Sequence, residues 1–240
     1  NAYNVGGVMG TGKAELSDVY NHGNVRGCKQ VGGIIGLPVK NHTTLARAFN
    51  TGNVTCASEA DSASCVNVCG GVAIANVTVT DAYYDCQAVD NTFANDTAVN
   101  AVPTAALTQL NWGDSCWTMR DNCYPALKTL ADTAIVKLYS AALAIAPGDK
   151  RSAVTESFNV GVPEGVEWTV SDNLHIDEDG HITLVNINGG ETATLKASID
   201  GNSLEYTITL VKPSGTDQIN ADKEVERMEY VGVNGIVYSH

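Results

Sequence analysis

A tandem repeat constrains this chain more than any other feature of its sequence. Val5-Gly6-Gly7-Val8-Met9-Gly10 recurs as Val31-Gly32-Gly33-Ile34-Ile35-Gly36 and, weakened, as Cys69-Gly70-Gly71-Val72-Ala73-Ile74. A second block follows each of them. Asp18-Val19-Tyr20-Asn21-His22-Gly23-Asn24-Val25 matches Arg47-Ala48-Phe49-Asn50-Thr51-Gly52-Asn53-Val54, and more loosely Asp81 to Ala88. The first blocks start 26 and then 38 residues apart, and the longer spacing is mostly one polar, cysteine-bearing insertion, 57–67.

Each unit reads as a short apolar strand, a polar turn, an aromatic-bearing strand and a Gly-Asn corner. Strands this short cannot bury a face alone, so like units gain by stacking about 4.8 Å apart. The expected result is an all-β fold that begins with a β-solenoid. Stacking would place Tyr20, Phe49 and Tyr83 in one ladder and Asn24, Asn53 and Gln87 in another, where amides satisfy one another. The glycine pairs suit corners, or places where neighbouring coils approach closely.

Charge and cysteine content narrow the class of partner. With 14 Lys+Arg against 27 Asp+Glu the net charge is −13, and no cationic run exists, which argues against nucleic acid and anionic membranes as partners. No run of 18 apolar residues occurs, so direct membrane insertion through a helix is not expected. All 7 cysteines lie between Cys28 and Cys123. Disulfides in an exported protein explain them better than a metal site, since zinc pairs are usually tighter and matched. Cys116 and Cys123 bracket a short turn and are the most credible bridge. Cys28 and Cys56 follow equivalent repeat corners and could meet between coils, while Cys56, Cys65 and Cys69 could equally close the insertion.

At Asn53-Val54 and Val31-Gly32-Gly33-Ile34-Ile35-Gly36 the chain resembles the GLUG-repeat family, over roughly residues 1–90. Members are large secreted or surface-attached bacterial proteins, adhesin-like ones among them, and some proteases carry the repeats as accessory segments. The resemblance implies a β-solenoid over 1–134. Its cap is expected at about 104–130, where Trp112, Cys116, Trp117, Cys123 and Tyr124-Pro125 gather, because a solenoid must cover its last coil.

Residues 135–213 change character. Cysteine-free segments alternate with period two, starting at Val136-Lys137-Leu138-Tyr139 and continuing through Leu204 to Leu210, separated by turn signals such as Asp179-Gly180 and Asp200-Gly201-Asn202. That pattern suggests a β-sandwich. Glu167-Trp168-Thr169-Val170-Ser171, then Asp179-Gly180-His181-Ile182 and Thr194-Leu195-Lys196-Ala197, is similar to bacterial immunoglobulin-like domains, which implies a spacer or binding module. Residues 214–240 read as a linker and the start of a C-terminal tail, resembling the sorting segments of Gram-negative anaerobes, with Asn234-Gly235 signalling a hairpin.

No catalytic constellation stands out. Asp18 and Asp81 occupy matching positions, but Arg47 sits between them, and neither His-Glu-x-x-His nor Gly-x-Ser-x-Gly occurs. Asp177-Glu178-Asp179-Gly180 lacks calcium-loop spacing and reads as a turn. The ladder aromatics read as core, leaving Trp112 and Trp117 as the candidate ligand-binding aromatics. The expectation is a non-catalytic, adhesin-like protein with no cofactor and no metal, at the outer-membrane surface of a Gram-negative bacterium or secreted from it, binding an extracellular protein or glycan. The alternatives are an accessory region of a secreted glycan-degrading enzyme or protease, and a structural stalk.

Overall fold

The computed structural model describes residues 3–56, 69–70, 73, 77–89, 100–113, 116–212, 230–231 and 237–238. The protein is all-β in character, with 53% strand and 6% helix.

Repeat blocks become parallel ladders. The Val-Gly-Gly blocks give β1 (Tyr3–Gly6), β4 (Lys29–Gly32) and β7 (Cys69–Gly70), and the second blocks supply β2 (Met9–Asn21), β5 (Ile35–Asn50) and β8 (Thr78–Asp85). Between them lie β3 (Val25–Gly27) and β6 (Val54–Cys56), and β9 (Asn100–Val102) extends the stack. Three parallel sheets result, β1-β4-β7, β2-β5-β8-β9 and β3-β6. Pairing follows the sequence repeat: Val5 faces Val31, which faces Cys69, and Tyr20 faces Phe49, which faces Tyr83.

Between these sheets, like residues from successive units bury one another. Ile34, Ile35, Leu45, Ala48, Ala82 and Tyr84 form one core cluster, and Val25, Val31 and Val54 another. Glycine is required where the units touch. A Cβ on Gly7 would stand 2.3 Å from the Gly33 carbonyl oxygen, and one on Gly52 would stand 2.0 Å from that of Gly23.

The expected amide ladder is displaced. Asn53 N–H donates to Asn24 Oδ1 at 3.0 Å, a backbone-to-side-chain bond, and Gln87 turns elsewhere. The ladder forms three residues earlier, where Asn21 Nδ2 donates to Asn50 Oδ1 at 2.8 Å. Each of these asparagines also spans its own corner, donating to the carbonyl of Gly23 or Gly52 at 2.6 and 2.8 Å, so one side chain both turns the chain and joins two units.

The segment expected to close the end of the stack instead runs along its flank. It holds helix α1 (Thr104–Leu107) and a small hairpin of β10 (Trp117–Thr118) with β11 (Ala126–Leu127). Trp112 lies over Tyr83 of the third unit and Phe49 of the second, with ring centroids 6.5 and 6.1 Å apart. Trp117 reaches Tyr20 of the first unit at 5.9 Å. These rings cover the aromatic ladder of the stacked units.

Val136-Lys137-Leu138-Tyr139, the expected opening of the strand region, lies instead in helix α2 (Ala134–Ser140). Ala134, Leu138 and Ala141 fall on one side at helical spacing and pack on Ala197 and Ile199. The strands follow as β12 (Leu143–Ala144), β13 (Phe158–Val160), β14 (Glu167–Val170), β15 (Leu174–Ile176), β16 (His181–Leu184), β17 (Glu191–Ile199) and β18 (Asn202–Leu210). They form two antiparallel sheets, β12-β13-β16-β15 and β14-β17-β18. Leu143, Phe158, Val160 and Ile182 from one meet Leu195, Ile208 and Leu210 from the other in a single core. Trp168 lies at its margin, half-buried, its indole N–H donating to the Gly161 carbonyl at 2.8 Å.

Asp200-Gly201 turns β17 into β18 with both residues at positive φ, 49° and 78°, as a tight hairpin requires. β19 (Tyr230–Val231) pairs antiparallel with β20 (Val237–Tyr238), in keeping with the hairpin signal at Asn234-Gly235; that turn and most of 214–240 lie outside the described residues.

Candidate functional site

Asp18, Arg47 and Asp81 occupy the same corner of successive units, all at positive φ (58°, 46° and 53°). Register runs from Ser17/Ala46 directly to Val19/Ala48, so these three side chains leave the ladder together. Arg47 Nε and Nη2 each lie 2.5 Å from one Asp18 oxygen, and Trp117 Nε1 donates to Asp18 Oδ1 at 2.8 Å. The Arg47 guanidinium above all, with the Trp117 indole, holds the Asp18 carboxyl well below the usual carboxylate range. A carboxylate held this way is a poor proton acceptor, so Asp18 serves as an anchor for the flanking segment.

Of the sequence-derived ligand-binding aromatics, Trp117 is 1% exposed and presents no face to solvent. Trp112 is half-buried, its ring 4.8 Å from that of Trp117. The stacking role that covers the ladder takes up both.

The expected Cys116–Cys123 bridge is not formed. The two side chains point to different neighbours. Cys116 is a hydrogen-bond partner of Asp18 on the stacked units, whereas Cys123 Sγ lies against Gly161 of the two-sheet region and is buried. Burial raises the Cys123 pKa to about 12. Cys28 and Cys56 are each engaged in a disulfide. Cys65 lies outside the described residues, as does the side chain of Cys69.

Asp85 is fully buried and takes four donors. Tyr124 Oη lies at 2.5 Å, Thr104 Oγ1 at 2.7 Å, and the backbone N–H groups of Gln87 and Ala88 at 2.8 and 3.0 Å. These bonds tie the third unit to the flanking segment. Gln87 extends the connection, accepting from Thr104 N–H at 2.9 Å and donating through Nε2 to the Asp149 carbonyl.

Two adjoining cavities open where the stacked units meet the two-sheet region. The larger, about 600 Å³, is lined by Asn53, Cys86 and Gln87 on one side and by Lys150, Arg151 and Thr207 on the other. The smaller, about 230 Å³, is bounded by His22, Tyr124, Tyr139, Arg151 and Tyr206. Arg151 and Ala88 belong to both, which places the guanidinium at the junction. Arg151 lies over the Tyr206 ring at 5.3 Å, and the backbone holds its segment on β18, Thr209 N–H donating to the Arg151 carbonyl at 2.7 Å. Among the described residues, neither lining contains a carboxylate.

Two buried nitrogens in these walls have no hydrogen-bond partner, Arg151 Nε and His22 Nε2. His22 sits within 6 Å of four aromatic rings, those of Tyr20, Phe49, Tyr124 and Tyr139, and its Nδ1 is 2.6 Å from Thr51 Oγ1. Burial lowers its pKa to about 3, so the imidazole is neutral at pH 7.

No sequence motif marks this cleft. His22 carried one signal, a ring where the next repeat has Thr51. Arg151 and Lys150 lie in an irregular segment with no motif around them. No group of three or more His, Cys, Asp or Glu placed to hold a metal ion occurs among the described residues, and Asp177-Glu178-Asp179 is a turn in which Asp177 Oδ1 accepts from the N–H groups of Asp179 and His181 at 3.0 and 2.8 Å. Comparison with protein-family models and with curated proteins returns no match.

Proposed function

We propose that this chain is a non-catalytic binding module of a surface or secreted bacterial protein, adhesin-like in role. In this reading the stacked repeats are the coils of a GLUG-like β-solenoid, and residues 135–213 are an immunoglobulin-like sandwich docked on its side. The observation that carries it is the cleft between the two. It is polar, ligand-sized at about 600 Å³, and walled by both halves, while Asp18, one of the two matching corner carboxylates, is engaged by Arg47. Bonds such as Gln87 to the Asp149 carbonyl pre-form that cleft, which reduces the ordering cost of binding.

Folded protein applied to arrays of glycans and of extracellular-matrix proteins is expected to give saturable binding to at least one. Absence of binding across both arrays, with the fold verified by circular dichroism, would overturn the reading in favour of a structural stalk.

A further inference from the structure

The geometry points to an acidic, carboxylate-bearing glycan as the occupant of this cleft, its acid group held by Arg151 with Lys150 on the rim and its ring against the tyrosines of the smaller cavity. This inference rests on the binding-module reading and specifies its ligand.

Charge distribution is the first support. The chain carries 27 Asp+Glu against 14 Lys+Arg, yet among the described residues the larger lining holds Lys150 and Arg151, the smaller holds Arg151, and neither holds a carboxylate. Neither Lys150 nor Arg151 forms a salt bridge among the described residues. Asp85, on the same strand end as the lining residues Tyr84 and Cys86, is itself buried and occupied by four donors. Asp149 is turned to its own surroundings, its Oδ1 accepting from Thr155 Oγ1 at 3.3 Å.

Unmet hydrogen-bonding capacity is the second. A buried guanidinium N–H without an acceptor is costly, and Arg151 Nε is such a group, held in place by stacking on Tyr206. An arginine fork matches a planar carboxylate, and its pairing with one would supply the missing acceptor. His22 Nε2 offers one further polar contact deeper in the small cavity.

A sugar suits the remaining lining. Thr207, Thr209, Ser152, Asn53 and Gln87 supply hydroxyl and amide groups in the large cavity, and Tyr139 and Tyr206 border the small one. Hydroxyl-rich rings use such mixed polar and aromatic walls, whereas an inorganic anion would leave most of the space unfilled.

The test measures binding by calorimetry to three acidic probes, hyaluronan hexasaccharide, sialyllactose and hexagalacturonate, and to neutral chitohexaose, lactose and maltohexaose. At least one acidic probe is expected to bind more than tenfold tighter than every neutral one, and to weaken as salt is raised. Arg151→Gln should weaken that binding at least tenfold, Lys150→Gln several-fold, and Arg151→Lys should restore part of the loss. Lys150 is exposed, so its variant keeps the test valid if Arg151→Gln fails to fold. Equal binding of acidic and neutral probes, or acidic binding unchanged in Lys150→Gln and in any folded Arg151 variant, overturns the inference. A neutral glycan or a matrix protein bound equally well by these variants leaves the binding-module reading standing and this inference refuted. Binding to nothing on either array refutes both.

Discussion

Arg47 meets Asp18 as a fork, with Nε and Nη2 each 2.5 Å from a different carboxylate oxygen across two stacked units. The pair also receives the Trp117 indole, so it joins three segments that are far apart in sequence. Arg47→Ala is expected to lower the melting temperature more than Arg120→Ala does, because the Arg120 partner, Asp132, is 88% exposed and screened by water. The sign with pH is set by the depressed Asp18 pKa. Its contribution is present above the unfolded carboxylate value near 3.9 and is lost as pH falls toward the folded one. The stability gap between wild type and Asp18→Asn should therefore narrow between pH 5 and pH 2 in denaturant titrations; a constant gap would count against the ion pair.

His22 gives a second pH dependence of separate origin. Burial holds its pKa near 3 against an ordinary 6.5, so between those values the unfolded chain binds a proton that the folded one refuses. Stability is complete above pH 6.5 and declines as pH falls through this window, by at most ~1.4 kcal/mol per pH unit. His22→Gln should flatten the profile between pH 6.5 and pH 4, measured by urea unfolding at each pH. An unchanged slope would show that the ring is solvated.

The thiols differ in accessibility. Cys86 is exposed, whereas Cys123 is buried with its pKa raised to about 12. Iodoacetamide on the native protein is expected to label Cys86 at least about tenfold faster than Cys123, with Cys123 reacting only on unfolding. Peptide mapping without reductant should recover Cys116 and Cys123 as separate peptides. A cross-linked Cys116–Cys123 peptide would contradict the different directions in which these side chains point.

What the sequence disclosed, and what it hid, follows from the range of the interactions. Repeat spacing alone indicates which residues stack, and Tyr20, Phe49 and Tyr83 pair in that register. Asp200-Gly201 is equally readable, because its positive φ values are local requirements. The repeats match equally well at Asn24 and Asn53, so spacing alone points to an amide ladder there. Only the corner geometry, in which Asn21 and Asn50 each bond the glycine two residues on, selects between them. The path of the flanking segment was hidden because Trp117 answers a partner, Asp18, 99 residues earlier. Residues 134–140 alternate in hydropathy over four residues, too short a stretch to separate a strand from a helix whose Leu138 finds its core in a distant sheet. Most hidden of all was the cleft. Its cations gain significance only when two halves of the chain bring them beside His22 and Gln87.

The close contact between units makes the last prediction a steric one. A Cβ on Gly52 would fall 2.0 Å from the Gly23 carbonyl oxygen, and that atom is backbone, held by the Asn21 side chain and by the stacking of the two corners. Neither partner can rotate away, so Gly52→Ala must push two units apart or distort the asparagine ladder beside them. Overpacking of this kind costs typically about 1–3 kcal/mol. Gly23→Ala is the control, since its added Cβ would meet only Asn21 Oδ1, at 3.4 Å, on the exposed side of the same corner. Urea unfolding of both variants should show the large loss at Gly52 alone. Equal losses would mean that the corner is sensitive to glycine flexibility in general, and that the close approach of the units is not what selects glycine there.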